Sequence, residues 1–299
     1  MTCVFLCLFF ITVPALPAQV AELNAFPLSP PMARIIYSAD TLGIVHPCQS
    51  CGESSLGGVA RRSTLLRDLA TGQQHKPLIL AGPNEFYADQ PEPDPDKAQK
   101  FTPALLAAFG RMPYTALYLS PAAVLDMHQQ NLKLPANGII ITDKPITKFF
   151  PAGYLTIACV FLPTGIDNGV PSPEQITAAQ LAAREAAASA DLVVAVSPWG
   201  MQTENSLTPS LAGYFHILLG GGKGIAIPGQ ATGTPAIPGP IWLRSDQRGR
   251  AVNVLDILSL PIPGSPWLDG INFTSRLVYV TPELPEDTFV RELVKDLIE

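Results

Sequence analysis

Cys48 and Cys51 form a Cys-x-x-Cys pair in a polar loop, a spacing that can serve three kinds of chemistry. The two thiols can close a disulfide, exchange electrons with another thiol pair, or bind a soft metal ion with His46 as a further ligand. Haem attachment is excluded because no histidine follows the second cysteine. A structural disulfide and a functional thiol pair are equally compatible with the sequence, and both interpretations are kept.

Asp40 is the second candidate, because it stands at the end of the short apolar run Arg34–Ala39. Such a run, rich in β-branched residues, predicts a strand that is buried on both faces. Open α/β sheets bind ligands outside the carboxyl ends of their strands. The sequence therefore predicts that Asp40 and the cysteine loop lie at the same functional edge.

Three basic residues are candidates for binding an anion. Arg61 and Arg62 lie in the first turns of a helix that the pair Gly57-Gly58 opens, and Lys223 lies in a glycine-rich run. That run lacks the spacing of a Walker phosphate loop, so a nucleotide-triphosphate site of that type is not expected. Arginines in such positions more often form structural ion pairs, and this alternative stays open.

The elements around these residues alternate between strands and helices as far as about residue 200, and a strand-rich half follows. The clearest helix is Ser172–Ala190, which starts with a proline and is rich in alanine. We expect a surface loop in Asn84–Lys100, a hairpin turn at Arg248-Gly249, and an amphipathic helix at Thr288–Glu299. This order predicts a layered α/β protein with a mixed sheet or two stacked sheets.

Composition limits the classes of function that remain. The chain has 299 residues, of which 15% are charged, and its net charge is -6. We expect no nucleic-acid-binding surface, since such a surface would need a clustered basic patch. The 31 prolines are spread along the chain, which indicates many fixed loops and not one disordered tail.

The N-terminus predicts export. Val4–Val13 is an apolar run of signal-peptide length that is too short to span a bilayer, although the usual basic start is missing. We expect a signal peptide over residues 1–18, with cleavage after Ala15 or Ala18, then a linker over 19–32 and a single domain over 33–299. The expected location is the bacterial periplasm. Cys159 lies in an apolar run and is interpreted as an inert buried thiol.

The order of short motifs resembles the N-terminal metallophosphoesterase domain of the 5′-nucleotidase and UDP-sugar hydrolase family, which has the calcineurin-like fold. The resemblance covers about residues 33–280. The segments that carry it are GGVARRSTLL from Gly57, Leu78–Pro83, Pro113–Ala122, Ala190–Gly200 and His216–Gly224. It implies an α/β layered sandwich of two stacked mixed β-sheets flanked by helices, and an ancestral site for two divalent metal ions.

The resemblance holds in the strands and fails at the family's metal ligands. Only Asp40 keeps a ligand when the family's positions are carried over one by one, and it is interpreted as vestigial. The other positions hold Leu42, Pro83, Pro121, Ala122, Pro198, Gly222 and Gly224. A two-metal site needs several donors around each ion, and these side chains offer none. We expect a capping or hydrogen-bonding role for Asp40.

Three hypotheses follow. The first is an exported, catalytically degenerate relative that acts as a binding or redox-partner protein through the Cys48–Cys51 loop, with no cofactor assigned. The second is a divergent metal-dependent hydrolase of phosphoester or sulfur-ester bonds. The third is a periplasmic thiol oxidoreductase. A periplasmic redox protein or a membrane-associated protein is the expected kind of partner, and no nucleic acid is expected.

Overall fold

A computed structural model describes residues 30–47, 55–165 and 169–297. Cys48 and Cys51 lie outside the described residues, as do the predicted signal peptide and most of the predicted linker. Within the described part, twelve strands form two six-stranded sheets that face one another. No helix in this part has the length and apolar character needed to cross a membrane.

The first sheet has the strand order β12-β11-β1-β2-β3-β4. Strands β1 to β4 run parallel, whereas β11 runs antiparallel to β1 and β12 runs antiparallel to β11. Its strands are β1 (Ala33–Ser38), β2 (Leu78–Ala81), β3 (Ala116–Leu119), β4 (Gly138–Ile140), β11 (Ala251–Ile257) and β12 (Phe273–Tyr279). The sheet is therefore mixed, with a parallel half that ends next to Asp40.

The second sheet has the order β5-β6-β7-β8-β10-β9. Strands β6, β7, β8 and β10 run parallel, and the two edge strands are antiparallel to their neighbours. Its strands are β5 (Ile146–Ala152), β6 (Leu155–Phe161), β7 (Leu192–Ser197), β8 (Ile217–Gly220), β9 (Ile227–Thr234) and β10 (Ile237–Arg244). The predicted fold class, two stacked mixed sheets flanked by helices, is confirmed.

Helices cover the outer face of each sheet, so most strands are buried on both sides. The helices are α1 (Val59–Ala70), α2 (Pro95–Phe109), α3 (Pro121–Gln129), α4 (Pro173–Ala186), α5 (Met201–Leu211) and α6 (Thr288–Val294). One apolar core lies between the sheets, a second joins the first sheet to α1, α2, α3 and α6, and a third joins the second sheet to α4 and α5. This explains why strands such as β7 are apolar at almost every position.

Two local predictions were wrong, and two elements were not predicted. The expected hairpin at Arg248-Gly249 is a short 3-10 turn that carries the chain from β10 in one sheet to β11 in the other. The expected surface loop Asn84–Lys100 contains the start of α2, where Pro95 takes the first helical position and Asp94 caps the helix. Strand β5 and helix α5 had not been expected.

Candidate functional site

The carboxyl ends of the parallel strands of both sheets meet at one end of the sandwich. We call Asp40, Pro83, Asn84, Gly221 and Gly222, which follow β1, β2 and β8, the strand-end site. The two sheets are joined there by direct hydrogen bonds, since the Asp40 carboxylate of the first sheet accepts from Gly222 N of the second at 2.8 Å. The sequence prediction that Asp40 lies at the carboxyl edge of the sheet is confirmed.

Protein groups donate two hydrogen bonds to one oxygen of the Asp40 carboxylate. Asp40 Oδ1 accepts hydrogen bonds from Asn84 Nδ2 at 2.7 Å and from Gly222 N at 2.8 Å. The side chain is 2% exposed, and this burial raises the pKa of Asp40 to about 7, against the opposing effect of its two hydrogen bonds and of Arg244. Asp40 therefore acts as a hydrogen-bond acceptor between the sheets, the role expected from the sequence.

Pro83 and two glycines fill the space between the sheet ends. Pro83 O accepts from Asp40 N at 2.9 Å, and its ring lies so close to Gly221 that a Cβ there would overlap Pro83 Cγ. Gly222 has a φ of 80°, a conformation that favours glycine. The close approach of Pro83 to Gly221 leaves no room for larger side chains at either position.

One fully buried ion pair supports the first sheet beside the site. Arg62 Nη1 lies 3.2 Å from Glu85 Oε2 and donates to Thr41 Oγ1 at 2.5 Å. Glu85 also accepts from Ser38 Oγ at 3.0 Å. This is the structural ion pair that the sequence left open for Arg62, and its anion-binding role stays a prediction.

A second buried ion pair supports the other sheet. Arg244 Nη1 pairs with Glu204 Oε2, and both side chains are fully buried. Glu204 Oε2 also accepts from Trp242 Nε1 at 3.0 Å, while Arg244 Nη2 donates to Gly222 O at 2.7 Å. The pair thereby holds the backbone of the glycine that contacts Asp40. The sequence carries no signal for Glu204 or Arg244, because 40 residues separate them and no local pattern joins them.

The remaining basic candidates lie apart from this network. Arg61 Nη1 donates to Ser55 O at 2.9 Å, and its Nε lies 3.7 Å from Glu286 Oε1. Lys223 is exposed on the turn after β8. The structure therefore does not bring Arg61, Arg62 and Lys223 together around one position, and an anion site at any of them stays a prediction.

The flanks of the cysteine loop are described, although Cys48 and Cys51 themselves are not. Pro47 and Gly57 form an antiparallel bridge, so the chain leaves and re-enters the described residues at adjacent points before α1. His46 Nε2 lies 2.7 Å from Leu297 O, which ties the loop's start to the C-terminal segment. The loop thus begins and ends near the carboxyl end of β1. The predictions for Cys48, Cys51 and a soft-metal site with His46 stay predictions.

The strand-end residues do not fit a centre for two divalent ions. Among the described residues, no three His, Cys, Asp or Glu side chains lie close enough to hold a metal ion. Asp40 Oδ1 accepts two hydrogen bonds, and Pro83 stands at the position for which the resemblance implies a bridging carboxylate. Pro121 and Ala122 form the exposed first turn of α3 and offer no side-chain donor.

The fold is shared with solved structures of a 5′-nucleotidase, a sulfate thiohydrolase and a calcineurin-like phosphoesterase. A 5′-nucleotidase precursor from Thermus thermophilus matches with a TM-score of 0.63 and 19% identity, over 89% of this chain and 58% of that chain. The sulfate thiohydrolase SoxB of Thermus thermophilus, in complex with glycerol, matches with a TM-score of 0.63 and 14% identity. The match covers 89% of this chain and 60% of that chain. The calcineurin-like phosphoesterase YfkN from Bacillus subtilis matches with a TM-score of 0.60 and 11% identity. The match covers 89% of this chain and 96% of that chain.

The resemblance predicted from the motifs is confirmed at the level of the fold, which is that of the N-terminal domain of these 5′-nucleotidases. The chain spans 58% to 60% of the length of the first two of these proteins. No protein-family model and no curated protein sequence matches the chain.

Proposed function

We propose that this chain is an exported phosphoesterase-fold protein that has lost the two-metal catalytic site and acts through its Cys48–Cys51 loop as a binding or thiol-redox protein. One observation carries the loss of the metal site. The only carboxylate that remains at the family's ligand positions, Asp40, is held by Asn84 and Gly222, and Pro83 fills the neighbouring space. Such a site lacks the ligands for two metal ions, so it cannot hold the hydroxide that would bridge them.

The position of the cysteine loop supports its functional role. Its flanking residues Pro47 and Gly57 lie next to one another between β1 and α1, on the side of the sandwich where Asp40 lies. A dithiol–disulfide exchange there would move two electrons and two protons. Cys48 and Cys51 would close a disulfide while the disulfide of a partner protein opens to two thiols. An exported redox protein or a membrane-associated protein is the kind of partner that fits.

Export is part of the proposal and is supported by the apolar run Val4–Val13 at the N-terminus. An oxidising compartment makes a Cys48–Cys51 disulfide the resting state. In that compartment the loop would be either a structural disulfide that shapes a binding surface or the oxidised form of a redox pair. The difference between the two is whether the bond opens and closes reversibly.

The test is a thiol count on protein from the exported fraction, with and without dithiothreitol, followed by reoxidation. We expect Cys48 and Cys51 to gain and lose a maleimide label together in a redox buffer series. Cys159→Ser is the matched control, because Cys159 is fully buried and its loss should leave the reversible labelling unchanged. A pair that stays oxidised at every potential down to that of dithiothreitol would contradict the redox role and leave the binding role.

The second candidate function is a divergent metal-dependent hydrolase of phosphoester or sulfur-ester bonds. The observation that favours it is the TM-score of 0.63 to both a 5′-nucleotidase and a sulfate thiohydrolase, over 89% of the chain. Hydrolysis of p-nitrophenyl phosphate or a 5′-nucleotide that requires added Mn²⁺ or Zn²⁺ and is lost in Asp40→Asn would establish this function and refute the first proposal.

A further inference from the structure

The end of the sandwich opposite the strand-end site holds a cleft of about 400 Å³. It is formed where the amino ends of β7, β8 and β10 meet the loop between β11 and β12. Its volume lies in the range of small-molecule sites, which combine apolar and aromatic walls with a few fixed polar groups. Neither the proposed thiol chemistry nor the phosphoesterase fold accounts for this cleft.

Three aromatic side chains line the cleft, those of Tyr214, Phe215 and Trp267. Trp267 is buried and packs edge-to-face on Phe273, with 6.4 Å between ring centroids. Arg184 Nη2 donates to the Tyr214 hydroxyl at 3.2 Å, and its guanidinium lies 5.5 Å from the centroid of the Tyr214 ring. These contacts fix the rings in the wall, so the cleft presents preorganised aromatic surfaces to a ligand.

The lining of the cleft carries a negative charge and no positive one. Asp191 is the one acidic residue among the described residues that line it, and neither a lysine nor an arginine is among them. Asp191 Oδ2 accepts from Thr156 N at 2.7 Å, and its carboxylate forms no ion pair within the described part of the chain. Arg184, the cation beside Tyr214, lies outside the lining. The charge of the cleft therefore favours a cationic ligand over an anion.

His216 adds a neutral hydrogen-bond donor to the cleft. Its Nδ1 accepts a hydrogen bond from Val193 N at 3.0 Å, which places the proton of the neutral ring on Nε2. Burial lowers the pKa of His216, so the ring is neutral at physiological pH and adds no positive charge. Nε2–H has no acceptor among the residues that the structure describes, so it can donate to an oxygen of a ligand.

We propose that this cleft binds a small organic cation, a quaternary ammonium compound that also carries a hydroxyl or carbonyl oxygen. The positive charge of such an ion is attracted to the faces of tryptophan, tyrosine and phenylalanine rings. A quaternary ammonium group needs no hydrogen-bond acceptors, and the aromatic wall offers none. Asp191 balances the charge of the ion, and its oxygen accepts from His216 Nε2–H. This inference does not depend on the function proposed for the cysteine loop.

The test compares choline with 3,3-dimethylbutan-1-ol, which has the same shape and hydroxyl group but no charge. The full chain, labelled with an NMR-active nitrogen isotope, is titrated with each compound, and the indole N–H signals of its three tryptophans are followed. The variant Trp267→Phe identifies the signal of the tryptophan that lines the cleft. We expect choline to shift this signal saturably, and the neutral alcohol to bind about tenfold more weakly, which corresponds to roughly 1.4 kcal/mol.

Two variants test whether choline binds at the residues named. Asp191→Asn keeps an oxygen that accepts from Thr156 N, and it should weaken choline binding about fivefold because the negative charge is lost. Tyr214→Leu should weaken it by a similar factor because one aromatic face is removed. Asp143→Asn, on the exposed turn after β4 at the other end of the sandwich, is the charge-matched control and should leave binding unchanged.

Three results would each overturn the proposal. The first is the absence of a saturable shift with choline. The second is equal binding of the neutral alcohol, which would assign the cleft to uncharged apolar ligands. The third is choline binding that neither Asp191→Asn nor Tyr214→Leu weakens, which would place the cation elsewhere on the protein. If a variant fails to fold, the comparison of the two compounds on the wild-type chain decides.

Discussion

Replacing Asp40 by asparagine should stabilise the protein at neutral and alkaline pH. Asp40 is buried with a pKa raised from 3.8 to about 7, so between these values the folded state holds a proton that the unfolded state has released. Stability conferred by the neutral carboxyl is then complete below about pH 4 and is lost as pH rises towards 7. Ionisation costs up to about 4 kcal/mol of unfolding free energy, of which about 2.5 kcal/mol falls between pH 5 and pH 8.

The introduced amide would keep an oxygen to accept from Asn84 and Gly222, so the Asp40→Asn variant loses the ionisation cost and little else. Urea unfolding of both proteins at about pH 5 and about pH 8 measures the difference. The variant should gain on the wild type by about 2 to 3 kcal/mol more at the higher pH. Asp143→Asn, on an exposed turn, is the charge-matched control and should show no such gain.

A variant that is less stable than the wild type at about pH 8, or a difference that does not change with pH, would refute this reasoning. A difference that does not change with pH would mean that Asp40 of the native protein is already ionised at about pH 5, so that its pKa is not raised. A bound cation is the physical cause that would hold the carboxylate in that form, because a nearby positive charge favours ionisation. The experiment therefore bears on the proposed loss of the metal site as well as on stability.

Three further predictions concern buried groups, two of them beside the strand-end site and one in the core. Glu204→Gln should cost about 3 to 5 kcal/mol of unfolding free energy, because it leaves the Arg244 guanidinium buried without its anion; thermal or urea unfolding measures this, and a cost below about 1 kcal/mol would contradict it. Gly221→Ala should cost about 1 to 3 kcal/mol through overlap of its Cβ with Pro83, and unchanged stability would show that the sheet ends are not in contact. Burial raises the pKa of the Cys159 thiol, so iodoacetamide should label it only after unfolding, and rapid labelling of the native protein would be inconsistent with this burial.

The elements that the sequence predicted are those with a strong local signal. Strand β7 is apolar at almost every position because it is covered on both faces. Helix α4 begins at Pro173 with a capping box between Ser172 and Gln175, a motif that is visible in the sequence. In these elements local propensity and tertiary burial favour the same structure, and such consistency makes a prediction reliable.

The missed elements lack such a signal. Strand β5 contains Lys148 and Pro151, which read as loop residues, and it is tolerated because it lies at the edge of its sheet. Helix α5 contains Pro209 and several short polar residues, so its propensity is weak. Its position is set by packing against β10 and by the ion pair of Glu204, and neither is visible locally.

The site was partly predictable for the same reason. A carboxylate directly after a buried strand predicts a position at the sheet edge, and Asp40 lies there. The partners that hold it, Asn84 and Gly222, come from distant parts of the chain and depend on how the two sheets meet. Sequence spacing does not encode that contact, and the partners could be identified only in the structure.

The proposed loss of the two-metal site is tested most directly by the metal content of the native protein. Protein from the exported fraction, dialysed against Mn²⁺ and Zn²⁺ and then against metal-free buffer, would be measured by inductively coupled plasma mass spectrometry beside the Asp40→Asn variant. We predict that neither protein retains stoichiometric metal, because Asp40 is held by protein donors and Pro83 fills the adjoining space. Two metal ions per wild-type chain, reduced in Asp40→Asn, would contradict the account.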